Sequence, residues 1–152
     1  MFLKVETARQ GVVKGESADA KHPNEIDVVG WSWGMRAQTG MSAAGDANKA
    51  TINELNIVKR VDSASTALMA ALRSNELIKK ATLTVRKAGG DPLEYFKITI
   101  QNARITAFEL NTVEMEVGER LSFAFKRINA EYVPQGSDGR ARGSMSFETE
   151  IT

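Results

Sequence analysis

The chain has 152 residues, 42% of them hydrophobic, and its 20 basic and 19 acidic residues leave a formal net charge of +1. That length fits one domain, over residues 1–152, which buries roughly 70% of its unfolded surface. The interspersed charges argue against a nucleic-acid-binding protein, which concentrates Lys and Arg on one face. No apolar stretch approaches the ~20 residues that a membrane-spanning helix needs, so membrane insertion is not expected.

The N-terminal residues do not form a secretory signal, because Lys4 and Glu6 interrupt the apolar run that such a signal requires. The chain has no cysteine, which excludes a disulfide framework and a thiolate metal site. We therefore expect the protein to start in the cytoplasm, with export by a route that uses no cleaved signal still open.

A short hairpin is predicted at the start of the chain. Two apolar pairs, Phe2 with Val5 and Val12 with Val13, suggest two strands that turn near residues 9–11. Residues 15–24 are polar and predict a loop that leads to the next strand.

Residues 25–34, Glu-Ile-Asp-Val-Val-Gly-Trp-Ser-Trp-Gly, form the central predicted strand. Side chains alternate between the faces of a strand, so one face is apolar: Val29, Trp31, Trp33 and Met35. A buried aromatic side chain contributes about 2 kcal/mol or more, and we predict that both tryptophans anchor the core. The opposite face is nearly bare and leaves backbone close to whatever lies beyond it: Gly30, Ser32 and Gly34.

A long loop, a strand and a helix are predicted next. Residues 37–50 are small and polar and cannot bury a face, and projecting loops of this length are commonly functional. Residues 51–61 return to strand. The helix that follows has three candidate caps, Asp62, Ser63 and Ser65, and an apolar stripe, Leu68, Met69 and Leu72. It is about two turns long, and Asn75 can take the left-handed conformation that ends it.

From Lys80 onward the pattern is that of β-strands. Apolar alternation changes phase after Ile100, and again after Phe125, as a β-bulge would produce. Two long, bent strands imply a sheet that curls around a core. The predicted fold class is therefore mainly β: an antiparallel β-barrel or two-sheet sandwich with one short flanking α-helix.

No catalytic, cofactor or metal site is predicted. His22, the only histidine, is interpreted as an exposed loop residue, because Ser17 and Asp19 are too close along the loop to form a catalytic relay with it. Residues 40–51 lack the Gly-Lys pair of a phosphate-binding loop. Four nearby carboxylates match no calcium loop: Glu16, Asp19, Glu25 and Asp27. We interpret them as a solvated loop that is followed by an Asp27 facing inward or an interface.

Several segments together resemble the haemolysin-coregulated protein (Hcp) family. They are Val13-Lys14-Gly15-Glu16-Ser17, Glu25-Ile26-Asp27-Val28, Trp31-Ser32-Trp33-Gly34, Arg86-Lys87-Ala88-Gly89-Gly90 and Tyr132-Val133-Pro134-Gln135. They occur in the expected order and cover essentially the whole chain. The combination of Glu-Ile-Asp-Val with Trp-Ser-Trp-Gly is more specific than any short catalytic motif.

The resemblance implies a tail-tube-like subunit of the bacterial type VI secretion system. Six subunits would form a homo-hexameric ring, and rings would stack into a tube inside a contractile sheath, capped by a VgrG-type spike. The lumen would hold and stabilise type VI effectors, so that the ring acts as carrier and chaperone. The protein would be cytoplasmic before firing and then secreted, with no enzymatic activity and no cofactor.

Three groups of residues receive roles from this resemblance. The bare face is the candidate effector contact in the lumen: Gly30, Ser32 and Gly34. The long loop is the candidate contact between subunits or rings: Thr39, Gly40, Met41, Ser42, Ala43, Ala44, Gly45, Asp46, Asn48 and Lys49. A turn is a second candidate ring-end contact: Ala88, Gly89, Gly90 and Asp91.

Two other functions remain open from the sequence. A monomeric ligand-binding β-barrel would line an internal pocket with Trp31 and Trp33, and would change its fluorescence with a small molecule. An enzyme would use the acidic residues around Asp27 and would lose activity in Asp27→Asn.

Overall fold

The computed structural model describes residues 1–37, 50–87, 93–135 and 143–151. Within these ranges the chain is mainly β-strand with one helix. The elements are β1 (Phe2–Thr7), β2 (Gly11–Val12), β3 (Ile26–Asp27), β4 (Gly30–Ser32), β5 (Met35–Arg36), β6 (Thr51–Ile52), β7 (Leu55–Arg60), α1 (Ser65–Arg73), β8 (Ile78–Arg86), β9 (Glu94–Val113), β10 (Glu116–Tyr132) and β11 (Met145–Glu150).

The strands form a large antiparallel sheet in the order β2-β1-β8-β9-β10-β7-β4, with β11 on β10 and β3 on β1. A separate pair is formed by β5 and β6. In the described ranges the two end strands of this order, β2 and β4, do not pair with each other. The prediction of a closed barrel is therefore wrong, and the alternative of a sandwich-like fold is confirmed. The end strands are two and three residues long.

The two long strands β9 and β10 carry the sheet around the core. Successive buried residues are three positions apart instead of two at Phe125 and Ile128 on β10 and at Ile100 and Ala103 on β9. Phe125 pairs with Ala103 and Ile128 with Ile100, so the two strands change phase side by side. Asn102 has a left-handed backbone at this point, with φ of 51°. The predicted phase breaks are confirmed.

The helix α1 covers the core with Leu68 and Ala71, and ends where Asn75 takes a left-handed φ of 53°. Both the helix and its terminator are as predicted. None of the three predicted caps occupies the N-cap position, which is Ala64 and makes no side-chain cap hydrogen bond. Asp62, one of those three candidates, lies two residues before Ala64, and its Oδ1 accepts a hydrogen bond from the Ala64 N–H at 3.0 Å.

The predicted strand over residues 25–34 is interrupted. Its first part, β3, pairs with β1, and its second part, β4, pairs with β7. Between them the Val28 N–H donates to Met1 O and the Val29 N–H donates to Val58 O. Because the partner strand changes between Asp27 and Gly30, side chains do not alternate regularly between two faces through this segment. Val28 is 7% exposed, whereas Val29 and Met35 are 53% and 50% exposed, so the predicted apolar face is wrong for those two residues.

Candidate functional site

An open groove with a volume of about 680 Å³ lies on the outer face of the sheet formed by β4, β7, β10 and β9. Its lining combines the bare residues of β4 with polar residues of the neighbouring strands. The lining includes Gly30, Ser32, Asn56, Glu109, Arg120 and Ser122.

A hydrogen-bonded row crosses three strands in this groove. Ser32 is the register partner of Asn56, and Asn56 is the register partner of Ser122. The Ser122 hydroxyl donates to Asn56 Oδ1 at 2.7 Å, and Asn56 Nδ2 donates to Ser32 Oγ at 3.4 Å. Because Ser32 Oγ accepts in this row, its own O–H is left to donate outward.

The next row of the groove carries opposite charges on neighbouring strands. Gly30 pairs with Val58, Val58 with Arg120, and Arg120 with Glu109. Both charged side chains are exposed. The groove beside Ser32 therefore carries one charge of each sign among polar and apolar side chains, and its glycine lies on β4.

Neither Gly30 nor Gly34 is required by the conformation of the subunit. Their backbones are not left-handed. A Cβ added at Gly30 would meet Val58 Cβ at 3.9 Å, and one at Gly34 would meet Asn53 Nδ2 at 3.7 Å, both ordinary contacts. The isolated subunit therefore has room for a Cβ at both positions, of which Gly30 lines the groove and Gly34 follows β4 outside the lining.

The two tryptophans lie at the edge of the core, and Trp31 also lines the groove. Both are half-buried and pack against the buried cluster. Trp31 stacks with Phe96 at a centroid distance of 5.9 Å, and Trp33 Nε1 donates to Asn53 O at 3.0 Å. Each tryptophan is thus held by a partner on a different segment of the chain, Phe96 on β9 and Asn53 before β7.

The other two predicted groups, Thr39 to Lys49 and Ala88 to Asp91, lie outside the described residues. Sequence reasoning missed Asn56 and Ser122, which complete the row with Ser32. The signal was available for Asn56, because it stands between Leu55 and Ile57, both buried, and must face the other way.

His22 is not the exposed loop residue that the sequence suggested. Its side chain is 12% exposed, with Nδ1 at 2.9 Å from Glu25 Oε2 and Nε2 at 2.5 Å from Glu94 Oε1. Beside it, Arg86 forms a two-pronged ion pair with Asp19, at 2.5 and 3.0 Å. The solvated interpretation of the nearby carboxylates is therefore wrong for Asp19 and Glu25.

Among the described residues, His, Asp and Glu side chains form no group of three that could hold a metal ion. The same part of the chain contains no helix long and apolar enough to cross a membrane.

Comparison with known proteins places the chain in one family. Residues 2–132 match the family described as "Type VI secretion system effector, Hcp". Protein hcp1 of Pseudomonas aeruginosa is 36% identical over 148 residues, covering 94% of this chain and 88% of that protein.

Solved structures agree. A type VI secretion system effector from Yersinia pestis has a TM-score of 0.77 at 28% identity, with 98% of this chain and 99% of that chain covered. Hcp1 from Salmonella typhimurium has a TM-score of 0.76 at 27% identity, with 99% and 96% covered. The chain therefore belongs to the Hcp family of secreted type VI secretion system proteins.

Proposed function

We propose that this protein is a structural and carrier subunit, which forms hexameric rings that stack into the type VI secretion tube and hold effector proteins in the lumen. The observation that carries the proposal is the bare face of β4 beside the Ser32–Asn56–Ser122 row. A channel wall needs small side chains, because large ones would obstruct cargo. That requirement would account for Gly30 and Gly34, two positions at which the isolated subunit has room for a Cβ.

The Ser32 hydroxyl is the proposed effector contact. Since Ser32 Oγ accepts from Asn56, its O–H meets carbonyl or carboxylate groups on cargo. Arg120 and Glu109 extend the same wall with one charge of each sign, which suits cargo of varied surface charge.

Exposed apolar side chains support assembly. Met115, at the turn between β9 and β10, is 96% exposed, and Leu110 and Val117 on the flanking strands are about half-exposed. Met145 and Phe147 are 65% and 45% exposed on β11, at an edge of the sheet. Contact between subunits would cover these side chains, and a ring that closes head to tail needs two different complementary surfaces.

The remaining roles follow the same proposal. The loop of residues 37–50 would contact the neighbouring subunit or the next ring, and the turn of residues 88–92 would contact a ring end. The sheath, a VgrG-type spike and type VI effectors would be the partners, and the protein would stay in the cytoplasm before firing. The competing ligand-binding barrel needs a closed barrel around a pocket, and the sheet of the described residues is open.

The test is the mass in solution by light scattering, with negative-stain imaging of the same fraction. Six chains of 16.6 kDa give a particle near 100 kDa, and its images should be annular. A monomer at every concentration tried would overturn the proposal. Small-molecule titration with tryptophan fluorescence would then test the ligand-binding barrel.

A further inference from the structure

His22 sits between two carboxylates from different parts of the chain. Glu25 belongs to the same loop and lies 2.9 Å from Nδ1, while Glu94 begins β9 and lies 2.5 Å from Nε2. The imidazole also stacks on Phe2 of β1, with ring centroids 4.5 Å apart and planes 11° apart. Loop, first strand and β9 therefore meet at this one ring.

The two carboxylates require two N–H donors. A neutral imidazole has one N–H, so one of its nitrogens would turn a lone pair toward a carboxylate oxygen. Only the imidazolium donates to both Glu25 and Glu94. Protonated His22 is thus the form that this geometry fits.

The charges around the ring favour the same form. Arg86 at the end of β8 pairs with Asp19 and lies 3.6 Å from Glu94, and its guanidinium carbon lies 5.0 Å from the Phe2 ring centroid. Arg86 thus contacts two carboxylates, Asp19 and Glu94, while Glu25 contacts His22 alone, and a proton on His22 reduces the excess negative charge of the cluster. Lys97 also acts on Glu94 from β9.

The position of the cluster gives it a mechanical role. The loop around His22 is closed by backbone hydrogen bonds from the Gly15 N–H to Asn24 O and from the Ser17 N–H to Glu25 O. Glu94 follows directly after Leu93, whose carbonyl accepts the Lys87 N–H at 2.8 Å across the base of the β8–β9 connection. The cluster therefore fastens the loop to the base of that connection.

We propose that His22 is a proton-operated clasp, which fastens the loop of residues 13–25 to β1, β8 and β9 when its ring is doubly protonated and releases them when the ring loses a proton. A consequence, which rests on the proposed function, is that alkaline pH loosens the end of the subunit where we place a ring-end contact.

The direction of the effect follows from linkage. Burial alone would lower the pKa of His22, but the hydrogen bonds to Glu94 and Glu25 outweigh it and raise the pKa above 6.5. A group whose pKa is raised on folding stabilises the fold fully below its unfolded pKa. That stabilisation is lost as pH rises from about 6.5 through the folded value.

The first test uses the fact that His22 is the only histidine. Its ring nitrogens give one set of signals in a long-range ¹H–¹⁵N NMR titration of the full chain. We expect the midpoint above 6.5 in the native protein, falling in Glu94→Gln and in Glu25→Gln and unchanged in Glu150→Gln, an exposed residue on β11. A native midpoint at or below 6.5 would overturn the proposal. A midpoint that does not change in Glu94→Gln would also overturn it.

The second test is the melting temperature between pH 5 and pH 10, in the native chain and in His22→Gln. The native chain should lose a few degrees more than the variant as pH rises past 6.5. Parallel curves would overturn the proposal. Should His22→Gln fail to fold, the NMR titration of the native chain still decides.

Ring mass by light scattering across the same pH range separates the clasp from the proposed function. If only the proposal about His22 is wrong, rings are present and the His22 titration midpoint lies at or below 6.5. If only the tube proposal is wrong, the protein is a monomer and the His22 titration midpoint lies above 6.5.

Discussion

Lys59 Nζ lies 2.6 Å from Glu119 Oε2, and both side chains are fully buried. The ammonium also donates to Asp62 Oδ1 at 2.8 Å and to Ser65 Oγ at 3.2 Å. This pair links β7 and β10 to the start of α1. It occupies the part of the core where neighbouring positions on both strands, Ile57 and Leu121, are apolar.

Removing one partner of this pair should be strongly destabilising. Glu119→Ala removes a carboxylate that neutralises the buried Lys59 ammonium. We expect this to lower the free energy of unfolding by roughly 3–5 kcal/mol. The double variant Lys59→Met/Glu119→Leu removes both charges and should recover most of that loss. Urea unfolding of the three chains measures both effects. A double variant as unstable as Glu119→Ala would contradict the account.

Asn102 carries the change of phase in β9 with a left-handed backbone, φ 51°. Alanine pays about 1–2 kcal/mol for this conformation, whereas glycine adopts it freely. Asn102→Ala should therefore lower the free energy of unfolding by about that amount, and Asn102→Gly should stay near the native value. Asn129→Ala, on β10 and without a left-handed backbone, is the matched control. Equal losses in the alanine and glycine variants at position 102 would refute the conformational explanation.

Glu76 fastens the end of the helix to the first hairpin. Glu76 is 5% exposed, and its carboxylate accepts hydrogen bonds from the Arg9 N–H at 2.8 Å, the Gln10 N–H at 3.1 Å and Gln10 Nε2 at 3.1 Å. Burial would raise the pKa of Glu76, but these donors outweigh it and lower the pKa from 4.5 to about 2.

The stabilisation by Glu76 should therefore disappear in acid. A lowered pKa contributes stability above the unfolded value of 4.5, and the contribution is lost as pH falls from there to about 2. Glu76→Gln should be less stable at pH 7 by about 1–3 kcal/mol and should lose less on acidification than the native chain. Urea unfolding at pH 7, 4 and 3 measures the difference. A gap between the two chains that stays constant with pH would count against this role.

Local pattern was enough to predict much of the fold. The first hairpin, the helix with its Asn75 terminator and both phase breaks depend on neighbouring residues, and all are present. The strand over residues 25–34 was predicted wrongly, because alternation assumes one continuous partner. Here the partner changes from β1 to β7 between Asp27 and Gly30, a long-range event that no local pattern encodes.

The polar contacts were less predictable. His22 and Glu94 are 72 positions apart, and Lys59 and Glu119 are 60 apart, so only the folded sheet brings each pair together. One signal was nevertheless present: Lys59 stands in phase with Leu55 and Ile57, and Glu119 stands in phase with Leu121 and Phe123. A charged residue at an apolar position of an alternating strand points to a buried partner.

The Ser32 face provides the sharpest test of the proposed carrier role. Ser32→Trp places a large side chain in the groove beside Asn56, and should weaken binding of a cognate effector by at least about tenfold, or ~1.4 kcal/mol. The ring mass should not change, because Ser32 is exposed on the open face of the sheet. Ser32→Thr keeps the hydroxyl and is the matched control, expected to bind nearly as the native chain does. Co-purification and calorimetry with one effector, combined with light scattering, measure binding and assembly separately. If Ser32→Trp rings bind the effector as tightly as native rings, Ser32 does not face cargo, and the lumen wall must be sought on another face of the sheet.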